Sequence, residues 1–222
     1  MAGGGYLRYV ALGDSQTEGL GDGDEVRGLR GWADRLAELI ARDNPDLRYA
    51  NLAVRGLLAG QVRARQLAPA LALRPDLATV VAGVNDVLRR RFDADEVAGH
   101  LEAMFAALTA QGARVATLTF PDIGRIAPLA RPLAPRGHAL IAAAVAHALE
   151  LPGSDDSWTH PLPPDPMART GLRAVGAELR WAGTFLGPWL VRRVRGRSSG
   201  DGRQAKRPEL LPISDPISHP ID

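Results

Sequence analysis

Along the first half of the chain, short apolar runs alternate with longer stretches whose apolar residues fall at helical spacing. Tyr6–Leu12 is an apolar run ending at Gly13, the pattern of a buried strand stopped by a turn. Trp32–Ala41 places Trp32, Leu36, Leu39 and Ile40 on one helical face. Leu47–Ala53 reads as a second strand, and Val62–Leu73 as a helix closed by Arg74-Pro75. Leu77–Ala82, rich in β-branched residues, reads as a third strand ending at Gly83. Asp93–Ala110 is a long helix with Asp93 as N-cap and Gly112 as its stop, and Ala113–Phe120 is a fourth strand. Strands separated by helices in this way predict βαβ units and a mostly parallel sheet covered on both faces. Ligands in such sheets bind at the carboxyl ends of the strands.

After Phe120 the rhythm fails. A loop with Pro121, Pro128, Pro132 and Pro135 leads into a helix over Gly137–Leu149. A second Pro-rich stretch, Leu151–Pro166, connects to a long helix from Ala168 to Val194, whose stripe from Leu172 to Leu190 packs on the core. The pattern divides the chain into an α/β domain over 1–150, a Pro-rich connector and C-terminal helix over 151–195, and a basic, disordered tail over 196–222.

Composition narrows the class. With 222 residues and 45% hydrophobic content the chain fits one domain with a sizeable core, and no apolar run is long enough to span a bilayer. The absence of cysteine excludes disulfides, thiolate metal sites and cysteine nucleophiles, and it suits a cytoplasmic location. Met1–Gly5 lacks the basic and apolar regions of a secretory signal. The net charge of +2 hides an uneven distribution: residues 192–207 carry seven basic groups against Asp201 alone. Lys206 is the only lysine, an arginine bias that GC-rich coding explains, and the tail lacks interleaved aromatics; no specific nucleic-acid partner is expected. There is no phosphate loop or dinucleotide fingerprint, so no cofactor is expected. Asp14, Asp86 and Asp122 suit turns and N-caps, and no metal is expected.

Three segments carry chemistry. Gly13-Asp14-Ser15-Gln16-Thr17-Glu18-Gly19 follows the first strand. One reading exposes the Ser15 hydroxyl at the sheet's carboxyl edge, with its own N–H available to an oxyanion; the other makes Asp14 or Ser15 a helix N-cap. Asn51-Leu52-Ala53-Val54-Arg55-Gly56 follows the second strand and Gly83-Val84-Asn85-Asp86 the third. The Gly56 N–H and the Asn85 side chain would then join the Ser15 N–H around one developing oxyanion, the electrostatic half of an acyl-transfer site.

In this order the three segments resemble the blocks of the SGNH/GDSL hydrolase family. The resemblance covers residues 6–150 and implies a three-layer α/β/α sandwich that hydrolyses carboxylic esters of small molecules. It implies Ser15 as nucleophile and the Ser15 amide, the Gly56 amide and the Asn85 side chain as the oxyanion hole. Pro161–Pro164 and Gly196–Arg203 resemble a C-terminal extension of one subgroup.

The family's base is a histidine in an Asp-x-x-His block, and no such block occurs in this chain. Gly137-His138 resembles the pair that opens the last core helix; counting back from it puts Leu129 and Pro132 at the aspartate and histidine positions. Only 17 residues separate Phe120 from His138, too few for the helix, strand and catalytic loop expected there, which reads as an internal deletion of one strand and one helix. Such a loss leaves a strand edge exposed to self-association. His138 is the nearest replacement base; its alternative is a packed histidine at a helix start. His160 lies four residues after Asp156, His100 and His147 fall within helices and His219 in the tail. Two functions remain: an ester hydrolase with a displaced base, or a catalytically impaired relative that serves as a binding module or remnant.

Overall fold

The computed structural model describes residues 5–24, 28–89, 91–119, 135–160 and 199–213. Strand β1 (Arg8–Gly13) carries Tyr9, Val10, Ala11 and Leu12 with none of their surface exposed. A strand apolar on both faces is stable only between two layers, and β1 sits at the centre of the sheet. A one-turn helix α1 (Ser15–Glu18) and the small ribbon β2 (Gly23–Asp24) and β3 (Gly28–Leu29) lead to helix α2 (Trp32–Asp43). Then follow β4 (Arg48–Asn51), α3 (Ala59–Ala72), β5 (Leu77–Val81), the one-turn α4 (Val84–Val87), α5 (Ala94–Ala110), β6 (Arg114–Ala116), α6 (Pro135–Ala148) and β7 (Arg207–Pro212).

The strands run in the order β6-β5-β1-β4-β7. β1 pairs in parallel with β4 and β5, and β5 in parallel with β6. Alternation along the strands splits the core in two. Tyr9, Ala11, Leu77 and Val81 pack with Trp32, Leu36 and Ile40 of α2 and Ala142, Val145 and Ala146 of α6. Val10, Leu12, Ala78 and Val80 pack with Val62 and Ala70 of α3 and Met104 and Leu108 of α5. The result is the expected three-layer α/β/α sandwich with a mostly parallel sheet. Asp93 caps α5 as expected, its carboxylate accepting from the N–H groups of Asp95 and Glu96.

Two expectations change. The fourth strand is only Arg114–Ala116 rather than Ala113–Phe120. Past Ala116, Thr117 turns its hydroxyl inward to donate to the Val80 carbonyl at 2.7 Å, a side-chain bond in place of a ladder bond. Among the described residues nothing pairs with the outer edge of β6.

The second change concerns the tail. Arg207–Pro212 is not disordered; it adds antiparallel to the free edge of β4, with Arg48 opposite Pro212 and Asn51 opposite Arg207. Pro208 and Pro212 argue against a central strand, but an edge strand tolerates a missing N–H on its solvent side. Two of the basic groups bond internally as well. Lys206 Nζ donates to Asp34 Oδ2 at 2.5 Å and to the Leu29 carbonyl at 2.9 Å, and Arg207 Nε donates to the Tyr49 carbonyl at 2.8 Å. The helix expected over Ala168–Val194, like Asp122, Leu129, Pro132 and His219, lies outside the described residues. Among the described residues no helix is long and apolar enough to cross a membrane.

The two-sided core generates a stability prediction. Leu36 lies fully buried between the sheet and α6, so Leu36→Ala removes its contacts and leaves a cavity. Urea unfolding of that variant is expected to show a loss of about 2–5 kcal/mol. A loss below about 1 kcal/mol would mean that this face of the sheet is not packed as described.

Candidate active site

The site begins where β1 ends. A Cβ on Gly13 would stand 2.5 Å from the Val81 carbonyl oxygen and 2.5 Å from Thr17 Oγ1, so only glycine fits between β5 and the first turn of α1. Gln66 of α3, buried, holds the Gly13 backbone twice. Its Oε1 accepts from the Gly13 N–H at 2.8 Å, and its Nε2 donates to the Gly13 carbonyl at 2.9 Å. The chain then turns into α1 with Asp14 as N-cap, the carboxylate accepting from the Gln16 N–H at 3.3 Å. This decides between the two cap readings: Asp14 caps, and Ser15 opens the helix, partly exposed, its hydroxyl without a hydrogen bond among the described residues.

The second segment is tied to the first by side chains. At the end of β4, Asn51 Nδ2 donates to the Thr17 carbonyl and to the Tyr49 hydroxyl, both at 2.9 Å, and its Oδ1 accepts from the Ala53 N–H at 3.0 Å. Further on, Glu18 of α1 receives the Arg55 N–H at 2.8 Å and the Arg55 guanidinium at 2.9 Å, a pair almost wholly buried. A buried carboxylate needs such a partner, and here it holds the loop just before Gly56 against α1. Gly56 itself has a φ of 78°, a left-handed turn that glycine accepts without strain.

The third segment closes the arrangement. Asn85 Nδ2 donates to Asp14 Oδ2 and to the Leu57 carbonyl, each at 3.0 Å. Asp86 Oδ2 accepts from the Ala59 N–H at 3.0 Å, supplying the cap that Leu58 cannot give to α3. Ser15, Gly56 and Asn85 therefore stand on three segments that one hydrogen-bonded network joins. In this state both protons of the Asn85 amide have partners.

Burial pushes the Asp14 carboxyl up to about 7. The negative charges of Asp86 and Glu18 push in the same direction, against the hydrogen bonds from the Gln16 N–H and Asn85.

His138 has partners on both ring nitrogens. Its ring is fully buried, Nδ1 accepts from the Trp32 N–H at 3.1 Å, and Nε2 contacts the Leu20 carbonyl at 3.3 Å. With Nδ1 accepting, Nε2 must carry the proton and donate. Both ring nitrogens are thus committed to the backbone at the start of α2 and the end of the α1 turn, and burial holds the imidazole below its ordinary pKa. An imidazole whose lone pair is already occupied has no place for a serine proton, which favours the packed histidine at a helix start over the replacement base. Elsewhere, His100 of α5 faces Glu96 of the same helix and Arg63 of α3, His147 stands 6.5 Å from the Trp158 ring, and His160 ends an exposed turn.

Gln66 and Glu18 escaped the sequence reading. Glu18 had a signal, a carboxylate within the first motif with an arginine in the second; Gln66 had none, being one more polar residue in a helix.

The fold and site define a three-layer sandwich with a serine turn, a glycine loop and an asparagine at successive strand ends. The sequence matches the family described as GDSL-like Lipase/Acylhydrolase over residues 11–182, and the chain belongs to that family. No curated protein matches it. Similar solved structures include the psychrotrophic esterase EstA from Pseudoalteromonas sp., at 19% identity and TM-score 0.43 over 65% of this chain and 74% of that one. LAE5, an alpha/beta hydrolase enzyme from the metagenome of Lake Arreo, is similar at 21% identity and TM-score 0.45 over the same shares, 65% and 74%. A catalytic mutant of Axe2, an acetylxylan esterase from Geobacillus stearothermophilus, stands at 17% identity and TM-score 0.45, again over 65% and 74%.

The Asp14 environment predicts a pH dependence. Its folded pKa of about 7 lies above the ordinary 3.8, so the folded state binds the proton more tightly. That contribution to stability is fully present below about pH 4 and is lost as pH rises through about 7. Thermal melts of wild type and Asp14→Asn between pH 4 and 8 are expected to shift in the variant's favour as pH rises. A difference that stays constant with pH would show that Asp14 titrates normally.

Proposed function

We propose that this chain is an acylhydrolase of the SGNH type acting on small carboxylic esters, with Ser15 as nucleophile. The Ser15 N–H, the Gly56 N–H and the Asn85 side chain form its oxyanion hole. The observation that carries this reading is the network that ties Asp14, Leu57 and Asn85 together, because it gathers the three family segments at one end of the sheet. Attack by Ser15 on the ester carbonyl places negative charge on the carbonyl oxygen, and donors fixed in advance stabilise that charge without reorganising. For Asn85 to take part, one amide proton leaves the Leu57 carbonyl for the substrate oxygen.

The proton-transfer half is the weak half. Ser15 needs a base, and the histidine nearest in sequence is committed elsewhere. Turnover then rests on the oxyanion donors and on deprotonation of Ser15 by solvent. Without its base, a triad enzyme retains about 10³–10⁴-fold over water. The rate should therefore be slow and should rise with pH.

A second reading, an inactive relative, is favoured by the two occupied Asn85 protons together with the committed His138. Hydrolysis of p-nitrophenyl acetate by wild type, Ser15→Ala and His138→Asn separates the two. The expected outcome is a slow, pH-rising rate that Ser15→Ala removes and His138→Asn lowers less than about 3-fold, since a positioning bond is not the base. Equal rates in wild type and Ser15→Ala would establish the inactive reading. Loss of activity in a folded His138→Asn would restore the imidazole as base.

A further inference from the structure

The C-terminal segment does more than cover an edge. Between Ser199 and Arg203 it makes a tight turn, the Arg203 N–H donating to the Gly200 carbonyl at 3.1 Å, and Gly200 is buried against the second site segment. A Cβ built on Gly200 would stand 2.1 Å from the Arg55 carbonyl oxygen and 3.2 Å from Val54 Cγ1. Gly200 is not in the left-handed region, so alanine there would be opposed by Arg55 and not by its own backbone.

The Arg55 carbonyl belongs to the same planar peptide as the Gly56 N–H. In a trans peptide the C=O and N–H point in opposite directions, so a group that fixes the carbonyl also aims the N–H. On its other side the same residue is held by Glu18, which accepts the Arg55 N–H and guanidinium. The turn is in turn anchored by Lys206 on Asp34 and Leu29, and by the pairing of β7 with β4. β4 is the strand that runs directly into the Asn51–Gly56 segment.

We infer that residues 199–213 form a strap that sets the orientation of the Arg55–Gly56 peptide, with Gly200 as a positioning residue for the Gly56 N–H. The consequence for catalysis rests on the reading of Gly56 as an oxyanion donor; the orientation itself does not. Losing one such donor typically costs about 10²–10³ in kcat. A donor pushed aside by this close approach rather than removed should cost less, on the order of 10-fold, with KM almost unchanged because the donor acts on the charge of the transition state.

The test compares wild type, Gly200→Ala and Gln204→Ala, the last at an exposed position of the same segment. In amide nuclear magnetic resonance spectra of the full chain, the Arg55 and Gly56 signals are expected to move in Gly200→Ala and to stay in Gln204→Ala. Unmoved signals in Gly200→Ala overturn the strap, whether or not the protein is an enzyme. With p-nitrophenyl acetate, Gly200→Ala is expected to lower the Ser15-dependent kcat about 10-fold while KM holds within about 2-fold. A wild-type kcat in that variant overturns the positioning role. If Gly200→Ala does not fold, the double variant Lys206→Ala/Arg207→Ala loosens the far anchor instead, and the same two signals must move for the inference to stand. A wild type without Ser15-dependent turnover defeats the hydrolase reading and leaves the strap to be decided by the signals alone.

Discussion

The backbone of Gly13, held by Gln66 at both its N–H and its carbonyl, anchors the rest of the site. It ends the central strand and leaves no room for a side chain between β5 and α1. Because β1 is flanked by β5 on one side and β4 on the other, fixing its end fixes the reference for both neighbouring segments. A buried amide that serves two backbone groups at once is costly to lose: the Gly13 N–H would lose this acceptor in a dry interior, and the carbonyl would keep the longer bond from the Val54 N–H at 3.3 Å.

From that turn the connections are polar and buried, not apolar. Asn51 holds the α1 carbonyl at Thr17, Glu18 holds Arg55, and Asn85 spans Asp14 and Leu57. Asn51 and Glu18 both tie the first segment to the second, and Asn85 ties the third to both, links that general packing would not supply. The arrangement explains how three loops from different strand ends keep one relative placement. It also explains the high pKa of Asp14, a carboxyl surrounded by this network and shut off from water.

The same economy turns His138 and the C-terminal segment into structural parts. His138 bridges the backbone at the start of α2 and at Leu20, two residues past α1. β7 closes the β4 edge of the sheet, and the lone lysine of the chain pins it to α2. On the other side β6 is short, and a threonine hydroxyl takes over where its ladder stops.

The βαβ order, the two-sided burial of β1 and β5, the capped start of α5 and the placement of Ser15, Gly56 and Asn85 just after strands are all legible in the pattern of residues. These features are local: period, cap and turn chemistry act over a few residues and leave a readable pattern. Only the tertiary structure decided that Gln66 clamps Gly13 from 53 residues away, that His138 serves Trp32 from 106 residues away, and that Arg207 meets Tyr49 across 158 residues. A histidine's ring nitrogens carry no mark of their partners, and a Pro-flanked pair of leucines carries no mark of the strand edge it will meet. Such long-range pairings arise when the sheet brings distant segments together, and the residues' identities alone do not encode them.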